Sequence, residues 1–180
     1  MQMFDRFRMD GRVVLITGTS RGLGKVMAHA LAEVGAHVAG TSRNLANAQS
    51  VAQEVAAEHG TTCRGYACDV TDPDQIKDLV AQVIADFGRI DVLINNAGIN
   101  IRGSIEELTL EEFRTVQDTN VTGMWLLCRE VAPHMKAQSY GRVINVGSIL
   151  STVSMPDRTP YATSKGAVLQ LTRTLALEWA

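Results

Sequence analysis

Five short runs of β-branched and other apolar residues alternate with longer segments of helical period, and this alternation constrains the fold more than any other feature. VVLIT (Val13 to Thr17) is followed by GLGKVMAHALAEVGA, HVAGTS by NLANAQSVAQEVAAEHG, and GYACDV by DPDQIKDLVAQVIADFG. DVLINNAG and GRVINVGS each lead into a further helical stretch. Repetition of strand and helix predicts a parallel sheet covered by helices on both faces, since right-handed crossovers permit little else. The expected architecture is α/β: a doubly wound, three-layer α/β/α arrangement of strand order 3-2-1-4-5, formed as one domain over residues 1–180.

Local signals set the boundaries. In the first helix Val26, Ala30, Leu31 and Val34 share a face that is expected to be buried. Asp72 is placed to cap the third helix, Pro73 suits its first position, and Ile76, Leu79, Val83 and Phe87 line its apolar stripe. Thr109 with Glu112 forms a capping box for a long helix running through Trp125 to His134, and a last helix is predicted over Tyr161 to Ala180. Strands buried on both faces read as unbroken apolar runs, as VVLIT, DVLIN and RVINV do. In the expected order RVINV is an uncovered edge, and the chain stops at EWA in mid-pattern without a glycine cap or a following strand. The expectation is a fragment whose sheet lacks its last strands.

Charge narrows the partners. Seventeen basic and nineteen acidic residues give a formal charge of -2, and no run of like charge is long enough to follow a phosphate backbone or a membrane surface, so neither nucleic acid nor membrane is expected. Cys63, Cys68 and Cys128 form no C-x-x-C pair and are read as reduced, small buried side chains. The five-residue apolar run near the N-terminus is too short for a signal peptide or a bilayer span, which predicts a cytoplasmic protein.

TGTSRGLG, Thr17 to Gly24, sits where the first strand gives way to the first helix. Glycines at such a turn permit positive φ and the close approach of a pyrophosphate, and the helix N-terminus adds unpaired N–H groups. The spacing is G-x-x-x-G-x-G through Gly18, Gly22 and Gly24. A dinucleotide-binding unit usually carries an acid at the end of its second strand for the ribose 2′-hydroxyl. Here Ser42 stands in that place, Arg43 follows, and no Asp or Glu occurs between Glu33 and Glu54. A guanidinium pairs with a 2′-phosphate that an acid would repel, so NADP(H) is favoured over NAD(H). Arg21, inside the loop, is a second candidate for that phosphate.

Tyr161 and Lys165 lie four apart on the last helix and so share a face. A free phenol titrates near 10, and bringing a phenol about 3 units toward neutrality takes roughly 4 kcal/mol of preference for the phenolate, which a close ammonium in a partly dry site supplies. Ser148 follows the fifth strand, at the end of the sheet where open α/β folds present ligands, and its hydroxyl is suited to hold a substrate oxygen.

These motifs together resemble the short-chain dehydrogenase/reductase family. The resemblance runs the length of the chain: TGTSRGLG, CDV at Cys68 to Val70, NNAG at Asn95 to Gly98, Asn120, Ser148, and YATSK at Tyr161 to Lys165. It implies a Rossmann fold holding NAD(P), with Gly18, Ser20, Arg21, Gly22, Leu23 and Gly24 at the phosphates, and Ser42 and Arg43 at the adenosine 2′ position. Asp69 and Val70 would meet the adenine, and Asn96, Ala97 and Gly98 the adenosine ribose. It further implies that Tyr161 is the acid/base, Lys165 favours its ionised form and binds the nicotinamide ribose, Ser148 orients the carbonyl or alcohol, and Asn120 holds a water in the proton relay.

The implied chemistry interconverts a secondary alcohol and a ketone by hydride transfer, with no metal required. His29, His37, His59 and His134 are scattered without ligand spacing, and surface positions are expected for them. Within the family, AGINIRGSIEELTLEEF, RTPYATSKGAV and ALEWA are most similar to sugar-acid and polyol reductases of the gluconate 5-dehydrogenase type. A 3-oxoacyl-carrier-protein reductase would share every catalytic motif, and a truncated nucleotide-binding fragment without catalysis is the reading of another class. Arg102 and the stretch Met155 to Arg158 are further candidates for substrate contact. The resemblance also implies a homodimer or homotetramer, paired through the helices that carry Asn120 and Tyr161.

Overall fold

The computed structural model describes residues 6–180. Five parallel strands form one sheet: β1 (Val13–Ile16), β2 (His37–Ser42), β3 (Cys63–Ala67), β4 (Val92–Asn95) and β5 (Arg142–Asn145). Their order is β3-β2-β1-β4-β5, as the alternation of the sequence predicts. The first helices are α1 (Gly22–Glu33), α2 (Leu45–His59) and α3 (Pro73–Phe87); α4 (Leu110–Gln117), α5 (Gly123–Ala137) and α6 (Thr159–Glu178) follow.

Two cores lie on the two faces of the sheet, and β1 feeds both by the two-residue period of a strand. Val13 and Leu15 join Ile76, Leu79, Val83, Leu127 and Val131 beneath α3 and α5, with Leu175 of α6 and Trp179, which follows that helix, packed alongside. Val14 and Ile16 join Ala28, Ala32, Val51 and Val55 beneath α1 and α2. Asp72 caps α3 by accepting from Asp74 and Gln75, with Pro73 opening the helix. At α4 the Thr109–Glu112 capping box forms in both directions.

The structure departs from expectation in several places. β5 is exposed or half-buried along its length rather than buried on both faces, because its outer side is an edge. His29 and His59, expected at the surface, have side chains only 21% and 13% exposed. On α1 the buried ridge is Gly24, Ala28 and Ala32, whereas Val26 is 63% exposed and Ala30 is exposed. The close seating of Gly24 on the preceding turn fixes the rotation of the helix, so the smallest residues, rather than the most apolar ones, meet the sheet. The long helix after Thr109 is interrupted by a π turn at Asp118–Thr122 between α4 and α5. Cys68 and Cys128 are buried, with burial as the main cause pushing their thiols up to about 12 and about 11 respectively, but Cys63 is only half-buried.

The outer edge of β5 is open, as the 3-2-1-4-5 order requires, and Ile144 on it is 50% exposed. A groove of about 400 Å³ runs along this edge, lined by residues that include Met135, Tyr140, Val143, Leu175 and Trp179. Among the described residues no helix is long and apolar enough to cross a membrane.

Candidate active site

The turn after β1 is built for close approach. Gly18 lies in the left-handed region at φ 72°, and a Cβ on Gly24 would overlap the Gly18 carbonyl oxygen and stand 2.6 Å from Nδ2 of Asn96. The first turn of α1 is therefore seated directly on the loop. α2, α3 and α4 are each capped by a side chain, from Asn44, Asp72 and Thr109. At α1 the N-cap residue Arg21 provides no such bond, and the first turn holds no acid. Its leading N–H groups thus lack a side-chain acceptor, which suits an anion supplied from outside.

β4 locks this loop in place. The Thr17 hydroxyl accepts from the backbone N–H groups of Asn96 and Ala97, both at 3.0 Å. Nδ2 of Asn96 donates back to the carbonyls of Thr17 and Gly18 at 2.8 and 3.1 Å. On the other flank the Thr19 N–H donates to the Thr41 carbonyl at 2.8 Å, tying the loop to the end of β2. There Ser42 is half-buried, its hydroxyl accepting from the Asn44 N–H at 3.2 Å, and Arg43 is exposed. Neither Arg21 nor Arg43 pairs with a carboxylate among the described residues. Ser20 is half-buried at the loop, and Leu23 is 67% exposed on the first turn of α1. Val70 is buried after β3, while Asp69 closes its own turn by accepting from the N–H and hydroxyl of Thr71 at 2.9 and 2.8 Å.

Asn120 sits in the π turn with its side chain fully buried. Its Oδ1 accepts from the Ile99 N–H at 2.8 Å, and Nδ2 donates to the Ile99 carbonyl at 2.9 Å and to the Ser164 hydroxyl at 3.0 Å. The Ser164 hydroxyl donates in turn to the Tyr161 carbonyl at 2.7 Å. Three elements are thereby joined: the loop after β4, the π turn, and the first turns of α6. A π turn places an extra residue in the helix, and such turns recur at functional sites.

Lys165 is 5% exposed. Its Nζ donates to the Val146 carbonyl at 2.6 Å and stands 5.6 Å from the centre of the Tyr161 ring. Burial pulls the ammonium below the ordinary lysine range. Ser148, two residues beyond Val146, opens a short 3-10 turn (Ile149–Ser151), and its hydroxyl accepts from the Leu150 N–H at 3.1 Å. α6 packs on that turn. No hydrogen bond joins Ser148 to Tyr161; what links them is Lys165, which fixes α6 to the end of β5.

The structure thus gathers Gly18, Gly24, Asn96 and Ala97 at one loop and Gly98 against Asn120, where a Cβ on Gly98 would lie 3.2 Å from Oδ1. Arg102 and Met155 stay exposed and outside these networks. Two residues that sequence reasoning passed over hold the site together. Thr17, 1% exposed, is marked only by a hydroxyl at the end of an apolar strand. Ser164, fully buried, lies three residues after Tyr161, on the same helical face.

Residues 12–180 match the model of the short chain dehydrogenase family. The chain belongs to that family. The gluconate 5-dehydrogenase of Gluconobacter oxydans is 38% identical over 97% of this short-chain dehydrogenase chain and 68% of its own length. A 3-oxoacyl-[acyl-carrier-protein] reductase of Vibrio cholerae is 37% identical over 96% of the chain and 69% of its own. Among solved structures, a gluconate 5-dehydrogenase from Burkholderia cenocepacia in complex with NADP and tartrate superposes with a TM-score of 0.94 at 35% identity, covering 99% of this chain and 69% of that one. An NAD+-bound xylitol dehydrogenase gives 0.91 at 35% identity, covering 94% and 65%. The chain spans about two thirds of the length of these family members.

Proposed function

We propose that this chain carries the nucleotide-binding and proton-transfer machinery of an NADP(H)-dependent oxidoreductase that interconverts a secondary alcohol and a ketone, on a sugar acid or polyol. The observation that carries the reading is Lys165, buried and held by the Val146 carbonyl with its Nζ 5.6 Å from the Tyr161 ring centre. A bound nicotinamide supplies the hydride acceptor or donor, and the chain's own groups handle the proton. The Tyr161 hydroxyl gives its proton to the nascent alkoxide during reduction and takes one back during oxidation. The buried Lys165 ammonium, 5.6 Å from the ring centre, sets a positive charge beside the ring that carries this proton. Ser148 holds the substrate oxygen. Asn120 braces the centre; both of its side-chain N–H bonds are engaged, so a relay water there can only donate to it.

The residues present fit the nucleotide. The uncapped start of α1, the left-handed Gly18 and the seat of Gly24 suit a pyrophosphate. Exposed Arg43 after Ser42, with no carboxylate partner among the described residues, supports NADP(H). The sugar-acid preference rests on likeness to gluconate 5-dehydrogenases, one of them bound to NADP and tartrate. Trp125, 45% exposed on α5, is the natural anchor of a pairing between two copies.

Nucleotide binding followed by NADPH fluorescence, with turnover on 5-ketogluconate and on an acetoacetyl thioester, tests the proposal. NADPH should bind more tightly than NADH, Arg43→Ala should narrow that difference, and 5-ketogluconate should be the better substrate. Tighter NADH binding overturns the phosphate preference. Ketone reduction undiminished in Lys165→Met, with nucleotide still bound, overturns the catalytic assignment.

A further inference from the structure

Away from the active site, α1 and α2 bring together two histidines that lie thirty residues apart in the sequence, a proximity no local spacing signals. Nδ1 of His29 is 3.2 Å from Nε2 of His59 and 3.2 Å from Oε2 of Glu58. His59 Nε2 is 3.9 Å from the other Glu58 oxygen. On the far side of the His29 ring, Nε2 is 3.3 Å from Oε1 of Glu54, whose second oxygen accepts from Lys25 at 2.7 Å. The two rings meet edge to face at 77°. Both histidine side chains are largely buried, 21% and 13% exposed, while Glu58 is 60% exposed and free to turn. Among the described residues this is the one trio of His, Cys or acidic side chains whose ligand atoms converge within 4.8 Å of one another.

With the proton on Nε2, facing Glu54, the Nδ1 lone pair of His29 points toward both His59 Nε2 and the Glu58 carboxylate. Three potential ligand atoms thus converge on the Nδ1 side of the ring.

The spacing suits a metal ion. Ligands bonded at about 2.0–2.1 Å to a tetrahedral ion stand about 3.3 Å apart, and His29 Nδ1 is 3.2 Å from both His59 Nε2 and Oε2 of Glu58. The 3.9 Å contact of His59 Nε2 is to the other Glu58 oxygen, so a turn of that exposed side chain brings one oxygen to both histidines. Glu54 then completes a carboxylate–histidine–metal chain by accepting the remaining His29 proton, the arrangement that orients a ligating imidazole. We propose that His29 Nδ1, His59 Nε2 and the Glu58 carboxylate bind a divalent ion of the zinc type, with the fourth position left to water. Two imidazoles and a carboxylate suit zinc better than magnesium or calcium. The ion clamps the middle of α1 to the last turn of α2, apart from every residue assigned to nucleotide or substrate.

Metal-stripped protein titrated with zinc alone by calorimetry, and with cobalt(II) read by visible absorption, tests the site. One ion per chain should bind at micromolar concentration or below, cobalt should show the intense bands of four-coordination, and zinc should raise the thermal midpoint. Glu54→Gln should weaken zinc by about 10-fold or more, Glu58→Gln should also weaken it, and His29→Ala with His59→Ala should abolish it. The two glutamine variants change exposed carboxylates, so they carry the test if the histidine double variant fails to fold. Zinc binding that none of these substitutions weakens, or no stoichiometric binding at all, overturns the proposal.

Discussion

Removing the Asn120 amide should cost more than any other single polar truncation near the active site. Asn120→Ala takes away three hydrogen bonds of a fully buried side chain, and it leaves the N–H and carbonyl of half-buried Ile99 without their partner. The Ser164 hydroxyl loses one bond but still donates to the Tyr161 carbonyl, which limits its share. A buried group left unsatisfied costs about 1–3 kcal/mol, so the sum is about 3 kcal/mol. With a urea dependence of about 2 kcal/mol per molar, the unfolding midpoint should fall by about 1.5 M. Urea titration followed by the fluorescence of Trp125 and Trp179 measures it. Asn120→Asp supplies the control. A carboxylate there still accepts from the Ile99 N–H but faces the Ile99 carbonyl as acceptor against acceptor, and burial raises the pKa of such an acid. A folded-state pKa above the unfolded one means that stability is present at low pH and lost as pH rises through the folded value. Asn120→Asp should therefore recover toward wild type on acidification, whereas Asn120→Ala should not. A loss below about 1 kcal/mol in the alanine variant, or no acid recovery in the aspartate variant, would refute the view that this amide joins the π turn to the β4 loop and α6.

Two further outcomes follow from the same geometry. Gly24→Ala forces a methyl onto the Gly18 carbonyl, so it should cost about 1–3 kcal/mol in urea unfolding and weaken NADPH by more than its effect on stability alone accounts for. Asp91 is fully buried and accepts from the Val13 N–H and from the guanidinium groups of Arg12 and Arg89. Burial alone would raise its carboxyl, but Arg89, the Val13 N–H and Arg12 together hold it below the ordinary carboxylate range. Its contribution is present above about pH 3.9, the unfolded value, and is lost as pH falls through the lower folded one. Asp91→Asn should cost about 2 kcal/mol at pH 7, and the cost should shrink below pH ~3, as followed by unfolding curves across pH.

Strand order was legible because apolar runs of four or five residues recur between helical segments, and β1 and β4 are buried along their whole length. Capping at Asp72 and Thr109 was equally plain, since those bonds are local. The buried face of α1 does not follow its hydrophobic pattern, because a close contact between Gly24 and the preceding loop sets its rotation. The π turn leaves no periodic trace, because the residues around Asn120 continue the helical pattern on both sides. The approach of Lys165 to Tyr161 is legible in their spacing along one helix. Thr17, Ser164 and the meeting of His29 with His59 depend on approaches between distant segments, and a single sequence does not record those.

The mutual clasp of Thr17 and Asn96 has a kinetic consequence. A loop whose carbonyls and hydroxyl are already pinned to the neighbouring strand surrenders little freedom when a dinucleotide arrives, so little of the interaction energy is lost to ordering it. Association should then proceed in one step, limited by diffusion and orientation, with a rate that rises linearly with nucleotide concentration and shows no plateau from a slow rearrangement of that segment.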